Sequence, residues 1–512
     1  MPGFLSQYFN SSDYALALPL LLLTLFGSGI LLIDLLLPRE WKIANAWTAI
    51  IGLIFSALAV FRIQAAYTQP GGPPIDLMGF GGSIIVDRFA LFFLYLFLAG
   101  AGLSILMSIR YLEIEQEHKG EYYALILFSV VGMMGMAIGY DLVVLFISLE
   151  LMAVSTYVLV GFLRGDQRSN EAALKYLLLG AFSSGIFAYG LSLLYGLSGS
   201  TNLGDIAFAL AGHTTRAASG PMLILALITT ATGLLFKIAA VPFHQWAPDA
   251  YEGAPTTITG FMSVAVKAAA WVLLLRVFLF ALEPLRPLYV PLLVAVAIMT
   301  MTFGNLAAIT QSNLKRLLAY SSIAHVGYML LGLVAGDATR SSVTGIKGIM
   351  IYLLVYTFMN LGAFAVITAL RREGIIGDQI DDIAGLYSRA PFAAVLMWIF
   401  LLSLAGIPPL AGFYGKYFIF LALIETGHYA LATLAVVYVA VSLYYYLRIA
   451  NAMFMREASD PEPLRLAPGV ALTLAITGAA TVGIGIFPEL FIRAVDWSVR
   501  GGQGAALAGL LR

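Results

Sequence analysis

The chain has 512 residues, of which 61% are hydrophobic, 11% are charged and none is cysteine. Soluble proteins use about 45–50% apolar and roughly 25% charged residues, so this composition excludes a soluble enzyme. The absence of cysteine excludes a disulfide framework and a cysteine-ligated iron–sulfur cluster. The 28 basic and 28 acidic residues balance, which excludes a basic field for nucleic acid. The composition predicts a polytopic membrane protein.

Apolar runs follow one another along the chain, each close to the roughly 20 residues that a helix needs to span a bilayer. The predicted spans are Tyr14–Leu37, Ala44–Tyr67, Val86–Ile109, Tyr122–Gly139, Leu142–Leu163, Ala172–Leu197, Met222–Val241, Thr257–Leu282, Pro287–Thr310, Leu317–Leu333, Ile346–Leu370, Phe392–Ile424, Tyr429–Met455 and Ala467–Leu490. The connections are short, and residues 196–220, rich in small and polar side chains, are predicted as a loop. We therefore expect an all-α membrane protein with about fourteen transmembrane helices.

The spans form two groups of five, residues 121–283 and 284–456, each with an interrupted fourth member. An odd number of spans inverts the second group, so the sequence predicts two inverted repeats. Residues 1–120 supply three further spans and residues 457–512 a last one. Loop Lys and Arg residues, including Lys315, are more frequent on one side. By the positive-inside rule this places the N-terminus outside and Arg276 among the charges of the outer side.

Ionisable side chains at membrane depth carry the functional argument, because inserting a charge at a helix centre costs about 2.5–3.5 kcal/mol. The candidates are Glu150, Lys175, Lys237, Lys267, His325, Lys347 and Lys416. Lys175 and Lys347 lie near span ends, where snorkelling to the interface explains them equally well. His325 is equally compatible with a satisfied interior histidine.

Amines outnumber acids in the middle of the spans. Glu150 is the one clear mid-span acid, whereas Lys237, Lys267 and Lys416 are three mid-span amines. One carboxylate cannot neutralise three amines, so ion pairing alone does not account for them. Burial disfavours the protonated form of an amine, so these lysines can both gain and lose a proton. The pattern favours a proton relay.

Two spans carry a proline break close to a buried lysine. Pro242 follows Lys237, and the pair Pro408 and Pro409 precedes Lys416. Proline removes a backbone donor, and such a break is tolerated in a membrane only where protein or water satisfies the freed carbonyls. A packing kink explains either break alone, but interrupted spans in both halves indicate the ion site of a transporter.

Several long motifs resemble the antiporter-like subunits of respiratory complex I. The run LLFKIAAVPFHQWAPDAYEGAPT, residues 234–256, closely resembles the signature of that family. The stretch from Asp141 through Glu150 to Phe162 looks like its fifth helix. Residues 314–325, LKRLLAYSSIAH, resemble the tenth helix, and residues 406–416, GIPPLAGFYGK, resemble the broken twelfth. These blocks span most of the chain.

Within the family the chain is most similar to the subunit N branch. Subunit M typically has glutamate where this chain has Lys416, and subunit L adds a long lateral helix after its core. Asp34, in a first helix that ends LLLP, and the overall length are also similar to subunit N. The plastid and cyanobacterial counterpart, subunit 2 of the NAD(P)H dehydrogenase-like complex, remains an alternative.

The resemblance implies a proton relay made of Glu150, Lys175, Lys237, Lys267, His325 and Lys416. Glu150 and Lys175 would form a charge pair that controls the protonation of Lys237, the pumped-proton site on the broken seventh helix. Lys267 would carry the proton along the central axis, and Lys416 would be the terminal relay. The hinges of the broken helices would be Pro242, Pro408 and Pro409. The secondary candidates are Lys347 and His244.

The implied function is proton translocation by an NADH-quinone oxidoreductase in a bacterial inner membrane, or in a thylakoid membrane for a cyanobacterial or plastid chain. No cofactor is expected in this chain; NADH, FMN, iron–sulfur clusters and quinone would belong to partner subunits, with subunits M and K as neighbours. The alternatives are a subunit of a multi-subunit Na+/H+ antiporter, a subunit of a membrane-bound hydrogenase, or a structural arm subunit that does not pump.

Overall fold

The computed structural model describes residues 11–68, 77–217, 220–336, 344–371, 377–458 and 463–510. The helices among them are α1 (Ser11–Asp34), α2 (Ala44–Thr68), α3 (Arg88–Ile114), α4 (Gly120–Ile138), α5 (Leu142–Val160), α6 (Gln167–Ser198), α7 (Leu203–Ala217), α8 (Pro221–Lys237), α9 (Trp246–Gly253), α10 (Thr256–Ala281), α11 (Arg286–Ile309), α12 (Leu314–Ala335), α13 (Thr344–Leu370), α14 (Leu386–Arg389), α15 (Pro391–Ala405), α16 (Ala411–Glu425), α17 (Tyr429–Met455), α18 (Pro468–Ile486) and α19 (Pro488–Leu510). Strands β1 (Leu77–Gly79) and β2 (Ile84–Val86) form a short antiparallel hairpin.

The predicted all-α polytopic architecture is confirmed. Within the described residues, 12 helices are long and apolar enough to cross a membrane. Two further pairs of shorter helices, α8 with α9 and α15 with α16, stand where the interrupted spans were predicted. Helix is the expected form, because a chain in lipid must satisfy its backbone groups within the segment. Together these elements are compatible with the predicted fourteen crossings and two repeats. Residues 1–10 and 511–512, at the ends of the predicted N-terminal and C-terminal segments, lie outside the described part of the chain.

Polar side chains fix where several helices begin. Asp87 accepts a hydrogen bond from the Ala90 amide at the start of α3, and Asp141 accepts one from the Val143 amide at the start of α5. Asn313 caps α12 in the same way. These caps satisfy amides that have no partner inside the helix, so each span begins at a defined residue.

Three helices occupy the centre of the bundle. In α10 and α12, 94% of the most apolar window is buried, and in α13 the share is 89%, against 28% in α1 and α17. The central helices therefore meet protein on all sides, whereas the peripheral helices turn one side outwards. Most of the ionisable candidates in the second half of the chain lie on or against these central helices.

The structure corrects two placements made from loop charges. Arg276 is not one of the charges at the outer surface, because its side chain is fully buried in α10 and its guanidinium binds both carboxylate oxygens of Asp87 at 2.7 Å. Lys315 does not lie in a solvated loop, because only 4% of it is exposed and its Nζ donates to the Ala254 carbonyl at 2.9 Å. In both cases a partner distant in sequence offsets the cost of burying the charge.

Two elements differ from the sequence expectation. Helix α7 replaces the loop predicted for residues 196–220. Helix α19 follows the last predicted span, and it packs against α3 and α13 through Trp497, over which the Arg88 guanidinium lies at 4.9 Å, and through Asp496. Neither helix is apolar and long enough to resemble a span, so a search for bilayer-length runs does not detect them.

Candidate functional site

Lys237 lies at the first helix break. It is the last residue of α8, only 7% of it is exposed, and its Nζ donates to the Tyr157 hydroxyl at 3.3 Å. The break is stabilised from outside the helix, since the Trp246 indole donates to the Phe236 carbonyl at 2.9 Å. The carbonyl end of a helix favours a cation, so the C-terminus of α8 stabilises the ammonium of Lys237. The break itself supplies no carboxylate to bind that ammonium.

Glu150 and Lys175 do not form the expected charge pair in this structure. Glu150 is half-buried in α5, accepts a hydrogen bond from the Ser184 hydroxyl at 2.6 Å, and is close enough to Lys237 for the two charges to interact. Lys175 turns instead to Glu171 at 2.8 Å and Asp249 at 3.2 Å, with 46% of its side chain exposed. Glu150 is therefore held by Ser184, and Lys175 is held by Glu171 and Asp249.

Lys175 belongs to an ionic cluster that joins the two predicted repeats. Arg316 of α12 binds Asp249 at 2.7 Å and Glu252 at 3.0 Å, both on α9. Arg168 of α6 binds Glu252 at 3.2 Å and, beyond α13, Asp378 at 3.1 Å. Apart from the buried Asp378, these side chains are partly exposed, so each exposed pair adds little stability by itself, but together they fix α9 between α6 and α12.

Lys267 lies at the centre of the molecule. It is 3% exposed, and it directly follows a π-helical turn, Met262–Val266, in α10. Its Nζ donates a short hydrogen bond to the Ser322 hydroxyl and lies 5.9 Å from the Tyr251 ring. A π-turn shifts the following side chains around the helix axis and is frequent at functional sites. The Lys267 amine that follows this turn contacts α12 through Ser322.

His325 lies one turn after Ser322 on the same helix. It is 2% exposed, its Nδ1 contacts the Tyr352 hydroxyl, and its Nε2 lies 3.0 Å from the Tyr446 hydroxyl. Both ring nitrogens therefore have a hydroxyl partner, and a hydroxyl can donate or accept. This arrangement satisfies an interior histidine and also permits proton exchange.

Lys416 lies at the second helix break. It is 4% exposed, and its Nζ donates to the carbonyls of Leu404 and Ala405 at 2.9 and 2.8 Å, the last turn of α15. The same Nζ lies 5.4 Å from the Tyr328 ring. The amine satisfies carbonyls that the break leaves without helical partners.

The secondary candidates are placed differently. Lys347 is ion-paired with Asp496 of α19 at 2.7 Å, and its Nζ lies 4.7 Å from the Phe418 ring. His244 lies in the connection between α8 and α9, and its ring packs edge-to-face against Phe303 at 4.5 Å. The structure therefore does not bring either residue into contact with the buried amines.

The three buried amines share one property. Within the described residues, Lys237, Lys267 and Lys416 have no carboxylate within 4.0 Å and bind only hydroxyls or carbonyls. In the same part of the chain no group of three His, Cys, Asp or Glu side chains could hold a metal ion. Chemically, the site consists of separate buried amines, each held by neutral oxygen atoms.

Comparison with known proteins decides the family. Residues 139–442, more than half of the chain, match the family described as NADH:quinone oxidoreductase/Mrp antiporter, TM. NADH-quinone oxidoreductase subunit N 1 of Koribacter versatilis (strain Ellin345) is 63% identical over 513 residues, which cover 100% of this chain and 99% of the relative. The chain belongs to the subunit N family of NADH-quinone oxidoreductases.

Solved structures agree with membership of the subunit N family. A chain of respiratory complex I from Thermus thermophilus with bound aureothin is 33% identical, covers 93% of this chain and 99% of its own, and superposes with a TM-score of 0.76. A chain of the Mrp complex from Dietzia sp. DQ12-45-1b, 20% identical with a TM-score of 0.80 over 98% and 100% of the two chains, shares the fold alone. The antiporter-like architecture is therefore common to both.

In this subunit N family member, the sequence prediction did not include the hydroxyl groups that contact the buried ionisable side chains. They are Tyr157, Ser184, Ser322, Tyr352 and Tyr446. Helical spacing could have indicated two of them. Tyr157 lies seven residues after Glu150 on the same helix face, and Ser322 lies three residues before His325. The tyrosines of α13 and α17 reach the site only through tertiary packing.

Proposed function

We propose that this chain conducts protons across a bacterial inner membrane as the proton-translocating subunit of an NADH-quinone oxidoreductase. The observation that supports this function best is the row of buried amines without carboxylate partners, because a lysine held by neutral groups can release its proton. The proposed relay consists of Glu150, Lys175, Lys237, Lys267, His325 and Lys416. Its hinges are Pro242, Pro408 and Pro409.

The proposed driving step is an exchange of partners by Lys175. When its ammonium leaves Asp249 and Glu171 and approaches Glu150, the carboxylate no longer stabilises the charge on Lys237, and the proton of Lys237 moves towards Lys267. Moving one charge against 100 mV costs about 2.3 kcal/mol. In this proposal the loss of attraction between Glu150 and Lys237 supplies that free energy for each proton.

The redox chemistry belongs to other subunits in this proposal. No cofactor is proposed for this chain, and NADH, FMN, iron–sulfur clusters and quinone are assigned to partners. The membrane-arm neighbours are proposed to be subunits M and K. The chain therefore acts as a translocase only within the assembled NADH:quinone oxidoreductase.

The relay is tested by replacing Lys237 with Met in the assembled complex. The Lys237→Met complex is expected to lose the quinone-coupled proton uptake that this chain supports, measured with a pH-sensitive dye in proteoliposomes, because the pumped-proton site is gone. Glu150→Gln is expected to be nearly as damaging. Lys119→Met is the control, since this lysine is partly exposed at a connection and paired with Glu117.

Unchanged proton uptake per NADH oxidised by an assembled Lys237→Met complex would contradict the proposal. That result would favour a structural arm subunit, for which removing a buried lysine alters assembly or nothing and never the proton stoichiometry. Proton uptake that requires sodium and no NADH would instead favour the antiporter alternative.

A further inference from the structure

A polar cavity lies at the end of the bundle that holds the ionic cluster. Its volume is about 410 Å³, and it is open to the surface. The ends of α3, α9, α10 and α12 and the segment after α13 bound it. Its charged lining includes Glu115, Asp166, Arg168, Glu252, Arg371 and Asp378. A space of this size and polarity holds water, so protons in the aqueous phase reach its walls.

Lys315 lines this cavity from the first turn of α12. Although 96% of the residue is shielded and carboxylates line the same space, its Nζ donates to the Ala254 carbonyl at 2.9 Å and makes no ion pair within 4.0 Å in the described residues. Ala254 is the C-terminal cap of α9. Lys315 therefore resembles Lys416, a buried amine on the carbonyl end of a helix segment beside a break.

Two helices lead from this cavity to Lys267. Lys315 and Ser322 are seven residues apart on α12, so they share one face about 10 Å apart along the axis. Ser322 is the hydroxyl that accepts from the Lys267 amine. Thr256, the first residue of α10, also lines the cavity, and Lys267 lies three turns further along the same helix. Helices α10 and α12 therefore both extend from the cavity to Lys267.

We propose that Lys315 is a proton-loading residue that takes protons from this cavity and delivers them to Lys267 after Lys267 has passed on the proton received from Lys237; the inference rests on the proposed function and adds a second point at which the relay is filled. The neutral Lys315 amine binds a proton that arrives from the bulk aqueous phase through the water of the cavity, and it becomes an ammonium. That proton then passes through the Ser322 hydroxyl and intervening water to the neutral Lys267 amine. Lys315 returns to its neutral form, so charge and protons balance in each cycle.

A structural role for Lys315 makes a different prediction from a proton-loading role. If Lys315 only caps the Ala254 carbonyl, any cationic donor should replace it. Arginine keeps the charge and the donors but does not release its proton in proteins. Lys315→Arg therefore keeps the cap and removes the proton exchange, and Lys315→Met removes both.

The test measures quinone-coupled proton uptake by the assembled complex in proteoliposomes, with and without added imidazole. Imidazole fits the cavity and carries protons near neutral pH. We expect uptake to slow by about tenfold in Lys315→Met and in Lys315→Arg. This factor is smaller than the roughly 10²–10⁴-fold that a positioned proton donor usually contributes. Imidazole should restore most of the lost rate in Lys315→Met and leave Arg493→Met, the control, unchanged, because Arg493 is exposed and paired with Glu489 outside the cavity.

Three outcomes would overturn the inference. They are wild-type uptake in both variants, wild-type uptake in Lys315→Arg alone, and slow uptake in an assembled Lys315→Met complex that imidazole does not restore. Lys237→Met is measured beside them. If Lys237→Met pumps normally, the proposed function fails; if it fails to pump while Lys315→Met is normal, only the loading role fails.

Discussion

At the level of single residues, the groups that bind each buried cation distinguish the residues proposed for transport from those that stabilise the fold. Lys237 and Lys267 donate to hydroxyls, which stabilise an ammonium less than a carboxylate does. Arg276, equally buried, is held by both oxygens of Asp87 and by the Ala137 carbonyl. A guanidinium does not release its proton, so this pair joins α10 to the start of α3 and takes no part in the relay.

Removing one partner of the Arg276–Asp87 pair is expected to destabilise the fold. Arg276→Met leaves an unpaired carboxylate in the core, which typically costs about 3–5 kcal/mol, and it should strongly lower the temperature at which the purified complex loses this subunit. The double variant Arg276→Met/Asp87→Asn should recover part of the loss, because no charge is left unpaired.

The control for this substitution is Arg493→Met. Arg493 and Glu489 form an ion pair whose side chains are 76% and 67% exposed, and exposed pairs contribute about 0–1 kcal/mol. A loss in Arg276→Met no larger than that in Arg493→Met would show that the buried pair does not stabilise the bundle.

At the level of elements, the helix break at Lys416 depends on a glycine. Gly406 follows α15 with a φ of +87°, a left-handed conformation that favours glycine. A Cβ at this position would lie 2.9 Å from the Lys416 Cδ. The glycine therefore permits both the turn of the chain and the close approach of the lysine stem to the carbonyl end of α15.

Gly406→Ala is expected to slow proton uptake as well as to destabilise the protein. The left-handed backbone costs about 1–2 kcal/mol for an alanine, and the added methyl group pushes Lys416 away from the Leu404 and Ala405 carbonyls. Gly427→Ala is a matched control, because Gly427 has a φ of +78° and nothing within 4 Å of the added Cβ.

Both glycine variants should lose thermal stability through the left-handed backbone, Gly406→Ala the more because of its contact with Lys416, whereas only Gly406→Ala should lose proton uptake. Equal uptake in both would mean that the position of Lys416 against α15 does not matter for transport.

At the scale of the whole molecule, local patterns were predictable and distant pairings were not. The spans and both breaks depend on apolar length and on proline, which act over neighbouring residues, so they could be predicted from the sequence. The burial of Arg276 depends on Asp87, 189 positions away, and no pattern in one sequence pairs them. The candidate amines could be named because they lie in apolar runs, but their hydroxyl partners on other helices could not.

Lys347 shows how a distant contact changes the interpretation of a residue. The sequence left it between an exit step for protons and a snorkelling anchor, but the structure pairs it with Asp496 of α19 at 2.7 Å, with 18% and 31% of the two side chains exposed. Arg88 lies over Trp497 one residue further along. Two cations from the bundle, on α13 and α3, thus hold the C-terminal helix against it.

Exchanging the two charges distinguishes an anchor from an exit step. Lys347→Asp places an unpaired acid beside Asp496, so α19 should detach more easily and become more sensitive to protease. Lys347→Asp/Asp496→Lys restores the pair with its direction reversed and should restore both protease resistance and proton uptake. A relay lysine must stay on α13 near its proton donor, so an exit step predicts protease resistance without uptake in the double variant. Restored uptake would therefore identify Lys347 as an anchor, because the amine would then sit on α19.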